Sequence, residues 1–204
     1  MADTVFVVTD IEADGLRPGE HSMISFASVA ITEATGEDVG RFAATLRPVP
    51  GLATEPATMD WWRTEPEAWA AATRDPRDPA AVMADYVAWV RALPGPAVFV
   101  GQPTLFDGAW IAWYLWRFAG VRLLHGPRPG RPLFEGGGLD LASFAMGATG
   151  RRYAESDRSR WPAAWYGGHG HTHCALDDAL GYAAALRHLL ATARRQASPE
   201  QTPI

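Results

Sequence analysis

The sequence predicts an α/β fold, a mixed sheet of about five strands flanked by helices. Three observations carry the prediction. Strand-like runs lead the chain, helical periodicity follows with a further strand-like run inserted, and a long amphipathic segment comes last. The 204 residues favour a single domain, expected over 1–195, with a full core; residues 196–204 are expected to form a loose tail.

"TVFVVTD" (4–10) is a short, valine-rich apolar run, the pattern of a strand buried on both faces. No basic stretch precedes it, so the opening reads as a first strand and not as a signal peptide. "SMISFASVAIT" (22–32) and "VGRFAATLRP" (39–48) follow as strands two and three, joined by the turn-like "ATGED", and are expected to form a hairpin. Residues 57–96 read as short helical pieces broken by prolines, ending in a helix near 79–93 with Val82, Tyr86, Val90 and Leu93 as its apolar stripe. "AVFVGQP" (97–103) is a fourth strand, followed by a helix over 105–119. The stretch 126–138 is loop-like, 139–150 suggests a short helix stopped by glycine, and 151–172 is a loop rich in Arg, Gly and Trp. The last helix is expected over 174–195, with Leu176, Ala179, Leu180, Ala183, Leu186 and Leu190 on its buried face.

Composition narrows the chemistry. Apolar residues make up 48% and charged residues 20%, as in an ordinary globular protein, and without a run of eighteen apolar residues no membrane span is expected. The single cysteine, Cys174, excludes an internal disulfide framework and fits a reducing cytoplasm. A net charge of −5 removes any global attraction to a polyanion, although screening beyond about 8 Å leaves local patches decisive. All eighteen basic residues are arginine, so lysine chemistry such as a Schiff base or a Walker A lysine is excluded.

Asp10 and Glu12 close the first strand. A spacing of two puts both carboxylates on one face, where they repel each other unless a hard cation such as Mg²⁺ or Mn²⁺ lies between them. By itself the pair also reads as a polar strand end entering the "ADG" turn. Asp107 follows "QPTLF", and Thr104 with Asp107 three residues on is close to a capping box, although the preceding strand also brings Asp107 toward Asp10. Of Asp177 and Asp178, the second flanks the buried face of the last helix near Tyr182 and Leu189, while the first points away beside His188. "HGHTH" offers His169, His171 and His173, but a zinc cage needs three or four converging N or S ligands, which neighbouring side chains on a glycine-rich segment do not readily supply.

"DIE" after the first strand, "FD" opening a helix after a later strand and "HCALDDA" before the final helix together resemble the DEDDh 3′–5′ exonuclease family, over residues 5 to about 190. "EPATMDWWRTEPEAWAA" (55–71), with its paired tryptophan, is similar to a segment of small phage-type and actinobacterial exoribonucleases of that family. Gln102-Pro103 departs from the Asn-Gly or His-Asn of many relatives. The resemblance implies a ribonuclease H-like fold and two divalent ions, Mg²⁺ or Mn²⁺, about 3.5–4 Å apart on Asp10, Glu12, Asp107 and Asp178. It makes His173 the general base, through the H-x4-D pattern it forms with Asp178, and Leu16 a wedge against the terminal base. The implied partners are 3′ ends of single-stranded nucleic acid, RNA slightly ahead of DNA.

For the substrate strand, Phe106 matches the family motif, and Arg151, Arg152, Arg158 and Arg160 offer phosphate contacts. Trp61, Trp62 and Trp69 suit either base stacking or, at their helical spacing, the core, and a homodimer interface is a further use. Two alternatives stay open: a catalytically silent nucleic-acid-binding module of the same fold, and a zinc hydrolase built on His169, His171 and His173.

Overall fold

The computed structural model describes residues 2–126 and 131–197. Strands β1 (Val5–Ala13), β2 (Met23–Thr32) and β3 (Asp38–Thr45) form an antiparallel meander. On the other side of β1, β4 (Ala97–Gly101) and the two-residue β5 (Leu139–Asp140) add in parallel, giving the order β3-β2-β1-β4-β5. The sequence reading missed β5. Its two residues show no alternation of their own; they pair because Val100 and Gly101 offer an open edge.

Alternation along β1 builds two cores. Val5, Val7, Ile11 and Ala13 face the helices α3 (Pro79–Arg91) and α4 (Thr104–Tyr114), with Trp110 and Tyr114 fully buried between. Phe6 and Val8 face α5 (Leu141–Thr149) and α6 (Ala175–Ala197). Two short helices, α1 (Pro56–Trp62) and α2 (Pro66–Ala72), pack as a separate small cluster around Trp62. The prolines of this region start helices instead of breaking them. Pro56, Pro66 and Pro79 each occupy the first turn, where a missing N–H costs nothing.

The helix expected over 105–119 ends as α4 at Tyr114 and continues as a wider π-helical turn, Leu115–Ala119, stopped by Gly120 at φ 64°. Three 3₁₀ turns between 153 and 166 structure the Arg- and Trp-rich loop, which buries Trp161 and Trp165 against the α6 core. α6 reaches Ala197; the rest of the expected tail, 198–204, lies outside the described residues. Its buried face is rotated from the expected one. The expected Ala179, Ala183, Leu186 and Leu190 are buried, but Ala175, Asp178, Tyr182 and Leu189 join them, whereas Leu176 and Leu180 are half-buried flanks. Asp178 therefore sits within the buried face and not beside it.

Candidate active site

Asp10 and Glu12 continue the Phe6–Val8 row of β1 beyond Val8, the last residue that β4 pairs. They stand where the sheet opens, on the α6 side, and Asp178 in the first turn of α6 meets them. One carboxylate oxygen from each of Asp10, Glu12 and Asp178 lies within 4.8 Å of the others. Asp107 is not in this tight set, but its charge acts on both Asp10 and Glu12. Asp10, Asp107 and Asp178 are 7%, 3% and 3% exposed, so none relies on water for solvation.

The capping-box expectation for Thr104 and Asp107 is corrected. Pro103 precedes the helix, and Thr104 is its first residue, with its hydroxyl donating to the carbonyl of Leu139 at 2.7 Å. The Asp107 carboxylate instead accepts from the Gln102 N–H at 2.9 Å, which turns it back toward the sheet. Gly101 leaves room for that approach, since a Cβ there would crowd Asp107 Oδ2 at 3.1 Å and Thr104 Cα at 3.0 Å. Gln102 itself is buried and accepts from the Ala142 N–H at 3.0 Å, so its side chain serves the fold.

Burial and mutual repulsion raise the acids. Asp10 is pushed well above the usual carboxylate range by burial and then by Asp107, Glu12 and Asp178. Glu12 is pushed up to about 9 by burial and by Asp178 and Asp107. Asp107 rises to about 7 through burial, against the pull of the Gln102 N–H and of Arg158. Asp178 Oδ1 accepts from the Thr172 N–H at 3.0 Å, while Oδ2 is a buried oxygen without a hydrogen-bond donor. His171 Nδ1 comes within 2.8 Å of Oδ2, but its N–H direction does not align with the oxygen, so the contact is an ion pair only when the imidazole is charged. Several buried oxygen donors and one orphaned oxygen form a set that suits a hard divalent cation.

The three histidines do not converge as one group. Gly167 and Gly168, at φ 61° and 88°, fold His169 back against Gly181 of α6. His171 and His173 instead share a cluster with Asp178, their rings 4.4 Å apart. His173 is half-buried, with a left-handed backbone (φ 56°), and burial lowers its pKa, helped by His171. Its ring meets Trp61 edge-on at 4.7 Å. The sequence offers His171 only as a member of the zinc alternative. The signal it lacked is tertiary, because Arg158 lies against the His171 ring at 3.2 Å.

Arg158 separates from the other arginines. It donates to the Tyr182 hydroxyl at 2.7 Å and opposes the rise of Asp10, Glu12 and Asp107. Tyr182 lies four residues after Asp178, one turn along the same helix face, a spacing visible in the sequence. Arg151 lies over the Trp165 ring at 5.2 Å, and Arg152 and Arg160 are exposed. Leu16 projects from the "ADG" turn at 60% exposure. With Phe106, Trp61, Glu55 and Glu12 it lines a cavity of about 420 Å³. Trp62 is buried and its Nε1 donates to the Ala13 carbonyl at 2.9 Å, tying α1 to the end of β1.

No protein-family model matches the sequence, and no curated protein matches it significantly. Solved structures do match. A 3′-exonuclease described with 3′-end specific recognition of a histone mRNA stem-loop superposes with a TM-score of 0.64 at 11% identity, over 94% of this chain and 83% of that one. The nuclease domain of 3′hExo, a DEDDh family member bound to rAMP, gives 0.63 at 13%, over 93% and 92%. The fold is ribonuclease H-like, as in DEDDh exonucleases. The zinc-bound E. coli exonuclease I complex with single-stranded DNA gives 0.62 at 17%, over 95% of this chain and 41% of that longer one. At these identities the likeness is one of fold.

Proposed function

We propose that the chain is a DEDDh 3′–5′ exonuclease, one domain over 1–195, of the small phage-type and actinobacterial kind with a paired tryptophan. It removes nucleotides from the 3′ ends of single-stranded nucleic acid, RNA slightly ahead of DNA. The observation that carries this is the meeting of Asp10, Glu12 and Asp178 in the crevice of this fold, with Asp178 Oδ2 left without a donor. Asp10, Glu12, Asp107 and Asp178 hold the divalent cations, Mg²⁺ or Mn²⁺. When bound, the ions acidify a water and stabilise charge on the leaving 3′ oxygen.

His173 takes the proton from the attacking water. Its lowered pKa keeps the ring neutral, and so able to accept, near pH 7. Leu16, Phe106 and Trp61 enclose the terminal base in the cavity beside Glu12. Arg158 faces the site and contacts the scissile phosphate, while Arg151, Arg152 and Arg160 guide the strand from further out. No described helix is long and apolar enough to cross a membrane, and a cytoplasmic location goes with this reading. A homodimer is a further part of this reading; in the tryptophan segment Trp62 is buried within its own chain, so Trp61, 38% exposed, is the residue that could take part.

The test is degradation of end-labelled single- and double-stranded RNA and DNA in Mg²⁺ or Mn²⁺. Binding without cleavage in both metals would point to a silent module instead. A second reading has one observation behind it, the grouping of His171, His173 and Asp178, which supplies three ligands for zinc. Stoichiometric zinc by elemental analysis, with no nuclease activity, would favour it.

A further inference from the structure

The indole of Trp61 touches two parts of the site at once. Through its exposed 38% it lines the cavity beside Glu12, together with Leu16 and Phe106. It also packs against the edge of the His173 ring, with centroids 4.7 Å apart and planes at 80°. The indole is held from behind. Trp62 lies 4.7 Å from it, Trp69 lies 5.4 Å from Trp62, and the Nε1–Ala13 bond fixes Trp62 to the end of β1. The loop carrying His173 is tied to α6 through Thr172, whose N–H and hydroxyl donate to Asp178 and Asp177 at 3.0 and 3.1 Å, but the His173 ring has no such anchor of its own among the described residues. The loop contains Gly167, Gly168 and Gly170, and His173 itself occupies a backbone region that L-residues disfavour. A rigid aromatic wall thus stands against one side of the His173 ring, with His171 at 4.4 Å as its other ring contact.

We infer that Trp61 is a positioning residue, setting the His173 imidazole from the wall of the cavity that receives the terminal nucleotide, so that occupancy of the cavity and placement of the base are coupled through one side chain. The inference rests on the proposed exonuclease function. It explains why a tryptophan is left partly exposed beside one that is buried. A ring used only to extend the Trp62–Trp69 cluster would not also need a face on the cavity, and a ring used only for stacking would not need the histidine edge.

The experiment is a double-mutant cycle on kcat and KM with Trp61→Leu, Trp61→Phe and His173→Ala, using a single-stranded oligonucleotide in Mn²⁺. In the wild-type background Trp61→Leu should lower kcat about tenfold and raise KM, while Trp61→Phe restores most of kcat. In the His173→Ala background Trp61→Leu should leave the residual kcat unchanged and affect KM alone. An equal loss of kcat in both backgrounds overturns the inference, as does a change in KM only. If His173→Ala is itself fully active, the assignment of the base fails first, and the exonuclease reading is then judged by Asp10→Ala. If Trp61→Leu does not fold, the Trp61→Phe arm and imidazole ¹⁵N shifts of His173 carry the test, and unchanged shifts in Trp61→Phe together with wild-type kcat, both with and without a bound mononucleotide, overturn it.

Discussion

Cation binding at the carboxylates should displace protons, and the size of the effect follows from Glu12. With its pKa at about 9, Glu12 is still protonated at pH 7 in the metal-free fold. Removing that proton two pH units below its pKa costs about 3 kcal/mol, a hundredfold in affinity. Apparent affinity for Mn²⁺ should therefore rise about tenfold per pH unit from 7 toward 9, with Asp107, at about 7, steepening the slope below neutrality. The stability of the metal-free protein runs the other way. Both folded pKa values are raised above the ordinary 4.5 and 3.8, so the fold keeps its full stability below those values and loses it as pH climbs through about 7 and about 9. The thermal shift produced by a fixed excess of Mn²⁺ should accordingly grow with pH. Titration calorimetry at pH 7 in two buffers of different ionisation enthalpy gives the protons released on loading the site, expected to exceed one because Glu12, Asp107 and Asp10 are all raised, and Glu12→Gln should flatten the slope above pH 7. Affinity that stays constant from pH 6 to 9, with no proton release, would refute the account of the site.

Asp10→Ala and Asp178→Ala should abolish hydrolysis with the fold intact, and Asp178→Asn should raise the melting temperature of the protein in EDTA by relieving repulsion; full activity in either alanine variant sinks the proposed site. His173→Ala should cut turnover by on the order of 10²–10⁴ while retaining cation binding, with His169→Ala and His171→Ala each costing less than about tenfold, and a larger loss from His171→Ala would transfer the role of base to that residue. Trp62→Phe keeps the ring but leaves the Ala13 carbonyl without its donor, so urea unfolding should register a loss of about 1–3 kcal/mol. Gly101→Ala pushes on Asp107 Oδ2, and calorimetry should show weaker Mn²⁺ binding with circular dichroism little changed.

The meeting of Asp10, Glu12 and Asp178 is legible because these residues lie near the ends of elements with strong periodicity. Valine-rich β1 announces Asp10 and Glu12, and the amphipathic pattern of α6 separates Asp178 from Asp177. The rotation of the α6 face was not legible, since Leu176 and Leu180 look as apolar as their neighbours and only the packing of Trp161, Trp165 and Tyr182 decides which side turns inward. β5 escaped because a two-residue strand has no period. The split among the histidines depends on Gly167 and Gly168 turning the backbone, and the sequence marks them only as permissive. The arginines differ in what they touch, which the sequence does not show: Arg158 meets Tyr182 and His171, whereas Arg151 lies over Trp165.

The early end of β4 divides the site by its means of support. Asp10 and Glu12 hang from a ladder shared with β2 and Asp178 from a helix of 23 residues, so the ion-holding half is anchored in the two cores. His173 and Arg158 hang from turns. Substitutions in the 151–173 segment that keep Thr172, Trp161 and Trp165 should therefore change rate and substrate preference while cation affinity persists, making the loop's exposed positions the place to re-engineer and the sheet the place to leave alone.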